Sequence, residues 1–352
     1  MSEYVFDPKE RIVLDVAYQP QVRAKTDTRR LMLDVILALL PAVGVAVWQF
    51  GFYCLLMIGV SVASAVFFEW GYRRLLKKSA SIGDLSAALT GLLIALTMPP
   101  AAPLWLPVIG SFFAIVVVKQ LYGGLGKNFL NPALAARAFL LASYTMLMGQ
   151  FPVPHSLLKE IDGISAATPL SYLKAGEAMP AYYNLRSMLL GMRPGAMGEI
   201  CALALLLGGL YLIARKVISW RIPVSFIATV ALLTLIFGHK GYSRMEFMAY
   251  NLMSGALLLT AFFMATDYAT SPVTLGGQLL YGFGCGAITV LLRYFGAYPE
   301  GVTYAILLMN ICAWAIDKGF RRRQFGVSAE DVAAEKAAKK AAKKAAKGGA
   351  DA

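Results

Sequence analysis

Residues 31–50 read Leu-Met-Leu-Asp-Val-Ile-Leu-Ala-Leu-Leu-Pro-Ala-Val-Gly-Val-Ala-Val-Trp-Gln-Phe, with Asp34 the single charge. A helix rises about 1.5 Å per residue, so roughly 20 such residues reach across the hydrocarbon core of a bilayer. Comparable runs lie at 54–70 and 201–214. Over its 352 residues the chain is 58% hydrophobic and 15% charged, against about 25% charged in an average globular domain. That composition excludes a soluble enzyme and a secreted disulfide scaffold. Cys54, Cys201, Cys285 and Cys312 stand singly within apolar runs and no CxxC pair occurs. The chain by itself therefore offers no four-thiolate iron–sulfur or zinc site.

Working outward, the apolar runs predict an all-α polytopic membrane protein with ten transmembrane helices. They fall near 31–50, 52–72, 84–100, 104–121, 132–148, 196–214, 222–237, 247–265, 276–293 and 301–317. Basic residues collect in cytoplasmic loops. Placing the N-terminus in the cytoplasm puts 25 of the 33 Lys/Arg on that side and 7 on the other, with Arg137 inside a span. Both termini are thus expected in the cytoplasm of a bacterial inner membrane. The first 28 residues are polar, so no cleavable signal peptide is expected. The chain divides into a cytoplasmic segment 1–30, a first five-helix repeat 31–148, a periplasmic loop 149–195, a second five-helix repeat 196–317 and a basic cytoplasmic tail 318–352.

The repeat is faint but ordered. Leu89-Thr90-Gly91-Leu92-Leu93 resembles Met253-Ser254-Gly255-Ala256-Leu257, and Tyr122-Gly123-Gly124 resembles Tyr294-Phe295-Gly296. Five spans per half would insert the second copy upside down, and inverted repeats place sites near the midplane on interrupted helices. The stretch 123–132, rich in Gly, Asn and Pro, is the expected interruption, with 296–301 as its counterpart. In the tail, Lys336, Lys339, Lys340, Lys343, Lys344 and Lys347 share one helical face. That face suits solvent or anionic headgroups. The tail has no aromatic residue for base stacking, so no nucleic acid is expected. Gly126-Lys127 is not a phosphate-binding loop, because Leu121 and Asn128 occupy positions that need Gly and Ser/Thr.

The long loop carries Asp162-Gly163-Ile164-Ser165-Ala166-Ala167-Thr168-Pro169-Leu170. Read locally, Thr168 before Pro169 is a helix start, Thr at the N-cap and Pro at the first helical position. The same geometry would set a phosphate on the Thr168 hydroxyl beside free N–H groups at a helix N-terminus.

The pattern Asp-Gly-x-Ser-x-Ala-Thr resembles the flavinylation motif of the NqrB/RnfD family, with Ser-Ala-Ala-Thr here in place of the common Ser-Gly-Ala-Thr. The resemblance extends through Lys119-Gln120-Leu121-Tyr122-Gly123-Gly124-Leu125-Gly126, Asn131-Pro132-Ala133, Phe263-Met264-Ala265-Thr266-Asp267 and Tyr298-Pro299-Glu300-Gly301-Val302. Length and the short N-terminus resemble the RnfD branch, from Rnf complexes, more than the NqrB branch, from the sodium-translocating NADH:quinone reductase. The resemblance implies FMN joined by a phosphoester to Thr168, installed by a flavin transferase, and a second, non-covalent riboflavin within the bundle, for which Asn131 and Arg137 are candidate ligands. It implies a membrane subunit of an ion-translocating ferredoxin:NAD oxidoreductase coupled to Na+ or H+ movement. Its expected partners are further subunits of an Rnf-type complex, one carrying a second flavin and others holding iron–sulfur clusters.

Coupling needs polar groups at depth, where charges are costly and usually purposeful. Asp34, Glu69, Asp84, Glu199, Asp267 and Asp317 qualify by position, and Asp267 and Asp317 are the expected ion-path residues because they fall in family-like segments. Glu69 has Arg73 one turn away and reads as an i,i+4 ion pair. The alternative from another class is a small-solute channel or transporter of inverted-repeat fold with no redox role. A scaffold that merely holds neighbouring subunits is a third.

Overall fold

Asp27 opens the first helix by accepting the Thr28 N–H at 2.8 Å. The computed structural model describes residues 27–77, 82–157, 166–180, 182–238, 241–296 and 300–320. The lysine face of the tail, the motif residues 162–165 and Tyr298-Pro299 lie outside the described residues. Helix α1 (Thr28–Phe50) passes into α2 (Phe52–Leu75) through Gly51 alone, whose φ of 83° is open to glycine at little cost. Helix α3 (Ser86–Leu96) stops before Pro99-Pro100. Helix α4 (Trp105–Phe112) widens into a π-helix over Phe113–Gln120, where the Leu121 N–H reaches back five residues to Val116 O. Asn131 caps α5 (Pro132–Ser143), which a short α6 (Thr145–Met148) follows.

Two small helices, α7 (Pro169–Ala175) and α8 (Leu185–Leu190), lie in the long loop. Then come α9 (Ala202–Ala214), α10 (Arg221–Phe237), α11 (Arg244–Met253), α12 (Leu257–Phe263), α13 (Leu275–Phe295) and α14 (Val302–Gly319). Helices α11 and α12 are bent by 57° at a break carrying Ser254 and Gly255, the latter at φ 68°.

Every predicted span overlaps helix, but several only in part. Among the described residues three helices are long and apolar enough to cross a membrane, Thr28–Phe50, Phe52–Leu75 and Leu275–Phe295, or four if the bent pair counts as one. The expected spans 84–100, 132–148 and 196–214 are shortened, with helix ending at Leu96 and Ser143 and beginning only at Ala202. Lateral pairing explains the last case. The Gly198 N–H donates to Leu96 O at 2.7 Å and the Met197 N–H to Met98 O at 3.0 Å, so 196–200 lies along the end of α3. The Glu199 carboxylate receives the Ala196 N–H at 3.0 Å and closes that turn.

One apolar core runs through the helices, from Leu39 and Met57 to Leu259 and Ile306. Helix α2 packs on α3 and α4, while α10 packs on α11, α12 and α13. Helix α1 lies against α9, and α5 meets α14. Trp48, Phe67, Leu210, Leu232 and Trp314 are exposed on the outer faces. Water would reject such a rim; acyl chains would not. Among the described residues every regular element is a helix, several of them apolar and suited to a polytopic membrane protein.

Candidate functional site

Thr168 sits where the local reading expects it, at the N-cap of α7 with extended backbone (φ −71°, ψ 152°) and Pro169 at the first helical position. Its hydroxyl does not cap the helix. It hydrogen-bonds the Ser171 Oγ at 2.9 Å and stays half-buried. Around it the loop is fastened from several sides. The Ala166 N–H donates to Phe151 O at 3.1 Å, and the Tyr183 hydroxyl donates to Ala167 O at 3.1 Å. Tyr183 is buried with Val153 and Leu157 and sits edge-on to Tyr182 at 4.4 Å. Burial, reinforced by Tyr182 and Tyr172, pushes the Tyr183 phenol well above its ordinary range and keeps it a donor. Leu170 and Leu173 of α7 are buried against Phe247 of α11, which ties the loop to the bundle.

Thr168 opens onto a cavity of about 220 Å³ whose lining includes Thr97, Arg137, Ser171 and Glu300. Arg137, on α5, is ion-paired through Nη2 to Glu300, 163 residues further along the chain. The Arg137 side chain is 3% exposed, and its Nε and Nη1 have no hydrogen-bond partner among the described residues. Arg137 is therefore a wall of the Thr168 cavity. Sequence reasoning does not single out Glu300, because its partner is remote and only the Tyr-Pro-Glu-Gly run draws attention to it.

Asn131 belongs elsewhere. Its Oδ1 accepts the Ala133 and Leu134 N–H groups at 3.0 and 3.3 Å, and its Nδ2 donates to Met264 O at 3.0 Å. With its amide turned to satisfy its neighbours, Asn310 of α14 accepts the Asn131 N–H at 3.1 Å. Asn131 lines a second cavity of about 90 Å³, together with Lys119, Asn128, Thr266 and Asp267. The two candidate flavin ligands thus face different cavities. Three glycines in left-handed backbone, Gly123, Gly124 and Gly126, turn the chain from the π-helix toward Asn131.

The acidic candidates separate by environment. Asp267, in the connection 264–274, accepts from Thr270 Oγ1 at 3.2 Å. Burial pushes its carboxyl above the ordinary value, partly offset by hydrogen bonds from the Ala269 N–H, Thr270 and Asn128. Asp317 accepts the Val273 and Thr274 N–H groups at 3.0 and 3.1 Å and Thr274 Oγ1 at 2.8 Å, pinning the entry to α13. Asp34 faces Arg215 at 3.3 Å and Tyr211 at 3.2 Å. Asp84 accepts from the Ser86 N–H at 2.9 Å and its hydroxyl at 2.6 Å, at the start of α3.

Glu69 is the departure. It is fully buried, with Lys119 Nζ at 2.9 Å and Gln120 Nε2 at 2.9 Å, while Arg73 lies out at 3.9 Å. Lys119 also donates to Ser86 Oγ at 2.6 Å. The expected i,i+4 pair is thus subordinate to a buried pair across 50 residues. Adjacent Lys119 and Gln120 within an apolar run were the available signal.

A sequence profile of the NQR2, RnfD, RnfE family matches residues 15–326. The chain is 47% identical over 317 residues to the D-type subunit of a Na(+)-translocating ferredoxin:NAD(+) oxidoreductase complex of Acetobacterium woodii, covering 90% of this chain and 96% of that one. It is 39% identical to the D-type subunit of a proton-translocating ferredoxin:NAD(+) oxidoreductase complex of Clostridium ljungdahlii, covering 89% and 96%. With the D-type subunit of an ion-translocating oxidoreductase complex of Escherichia coli it shares 36% identity over 351 residues, 90% and 99% of the two chains. The match over most of the length, together with these relatives, places this chain in the NQR2, RnfD, RnfE family.

Proposed function

We propose that this chain is the membrane-embedded D-type subunit of an ion-translocating ferredoxin:NAD oxidoreductase, carrying FMN on Thr168 and relaying electrons in step with Na+ or H+ translocation. The observation that carries the reading is the position of Thr168: a half-buried hydroxyl whose partner is another hydroxyl, at the mouth of a cavity with a buried guanidinium. Those residues fit a tethered flavin. Ala166 and Ala167 leave the backbone approachable, and Arg137 supplies donors a flavin ring can use. When bound, the flavin would accept and pass single electrons, which the apolar bundle has no group of its own to do. Ferredoxin and NAD would react on other subunits, iron–sulfur and flavin-bearing, since this chain has neither a CxxC cluster nor a dinucleotide fingerprint. Maturation would require a flavin transferase.

The membrane reading extends to ten spans in the inner membrane, arranged as two inverted five-helix repeats. The matching neighbours of α2 and α10, each packed on the helices of the two spans that follow it, support it. The non-covalent riboflavin and the ion path remain part of the proposal. The Asn131 cavity supports an inner ligand, and Asp267 on its wall is the better-supported ion-path carboxylate. Asp317, with its oxygens engaged by Val273 and Thr274, would contribute by fixing the entry to α13.

The test is in-gel flavin fluorescence of the denatured polypeptide after co-expression with a flavin transferase. The wild-type band is expected to fluoresce, Thr168→Ala to lose the signal because alanine has no hydroxyl to esterify, and Thr168→Ser to keep part of it. A fluorescent Thr168→Ala band would remove the anchor.

A further inference from the structure

The wall of the Thr168 cavity holds more than an anchor requires. A buried donor without an acceptor costs about 1–3 kcal/mol, and more when charged. Arg137 has two such nitrogens, Nε and Nη1, on a side chain that lines the cavity. They point to an acceptor that the described residues do not supply. Beside them the carboxylate of Glu300, 19% exposed, is held by Arg137 Nη2 and lies within electrostatic reach of Arg193 and Arg293. Three guanidinium groups and the carboxylates of Glu199 and Glu300 make this corner net positive if all are ionised.

The chemistry that matches is a ring edge with both carbonyl acceptors and an imide N–H, carried by a group that becomes anionic on reduction. At about 220 Å³ the cavity falls below the roughly 300–1,000 Å³ of pockets that enclose whole ligands. It suits the head of a tethered molecule, not a free nucleotide. The distance along the chain matters too. Arg137 and Glu300 come from opposite halves, so a ring held between them would be gripped by both.

We propose that Arg137 and Glu300 are the positioning pair for the ring of the flavin anchored at Thr168. The free N–H groups of Arg137 donate to the pyrimidine carbonyl edge, Glu300 accepts from the imide N–H, and the guanidinium favours the reduced, anionic ring. The inference rests on the Thr168 reading and deepens it.

The experiment uses the full-length chain, co-expressed with a flavin transferase, purified from membranes and titrated with dithionite while the flavin spectrum is followed. Arg137→Gln is expected to carry as much covalent flavin by in-gel fluorescence as wild type. Its reduction equilibrium should shift at least about tenfold toward the oxidised form, the scale of one charge-assisted hydrogen bond. Glu300→Gln should shift it the opposite way, because it removes a negative charge, and Arg137→Lys should restore much of the wild-type behaviour. A merely structural role would not produce shifts of opposite sign. Unchanged spectra and titrations in Arg137→Gln at full occupancy overturn the proposal. Should Arg137→Gln fail to fold, unchanged titrations in both Arg137→Lys and Glu300→Gln overturn it equally. A wild-type chain without covalent flavin sinks the underlying reading and this inference with it, whereas normal occupancy with unmoved potentials sinks only the pair.

Discussion

At the scale of single residues, the decisive features are charges with partners far along the chain. Lys119 and Glu69 are both almost fully buried, and neither could stay charged there alone. Removing one partner is expected to cost about 3–5 kcal/mol, because the other charge stays buried without compensation. Glu69→Gln should therefore melt far below wild type in detergent, and Glu69→Met with Lys119→Met should recover most of the loss. Equal melting of single and double variants would refute that pairing. Asp267 gives a pH dependence of definite sign. Burial raises its folded carboxyl above the free value of 3.8. Between those two values the unfolded chain binds fewer protons than the folded one, so stability falls as pH rises through the window. Below it the effect vanishes. Thermal unfolding from pH 4 upward should show wild type losing stability relative to Asp267→Asn, and parallel curves would contradict the assignment.

At the scale of elements, small residues set how closely the helices approach. A Cβ on Gly208 of α9 would lie 2.3 Å from Ala38 O of α1, and one on Gly209 would lie 2.4 Å from the Phe262 ring of α12. Packing of this kind replaces the hydrophobic drive that lipid cannot supply between helices. Gly208→Ala is expected to cost about 1–3 kcal/mol through overpacking, read as a lower midpoint in detergent unfolding, while Gly44→Ala, with nothing within 4 Å, should be neutral. A neutral Gly208→Ala would show that α1 and α9 can separate freely. The matched glycines of the faint repeat behave differently. Gly91 lies mid-helix against Ser61 O, and Gly255 takes a left-handed turn at the α11–α12 break. Local sequence likeness therefore did not carry local conformation.

At the scale of the whole molecule, the fold brings Arg137 from the first half to Glu300 from the second, and Asn131 to both Met264 and Asn310. The loop carrying Thr168 is fastened to α11 and to the backbone at Phe151, so its position is set by the bundle. The charge bias of the connections predicts which side that loop occupies. Alkaline phosphatase fused within 149–195 should be active in cells, and the same reporter after residue 320 should be inactive. The reverse pattern would invert the topology.

The sequence by itself determined the class: apolar runs, scarce charge and basic loops settle a helical membrane protein. The Thr168-Pro169 step likewise settles a local N-cap, because proline restricts both its own backbone and the residue before it. Helix ends were legible only where Pro or Gly marks them. Tertiary structure decided the rest. The hydroxyl of Thr168 turned to Ser171, Glu69 chose Lys119 over the nearer Arg73, and 196–200 left the helix to pair with the end of α3. Each outcome depends on a partner between 3 and about 100 residues away, and buried charges and backbone donors take whichever partner desolvation leaves within reach. Periodicity cannot name that partner.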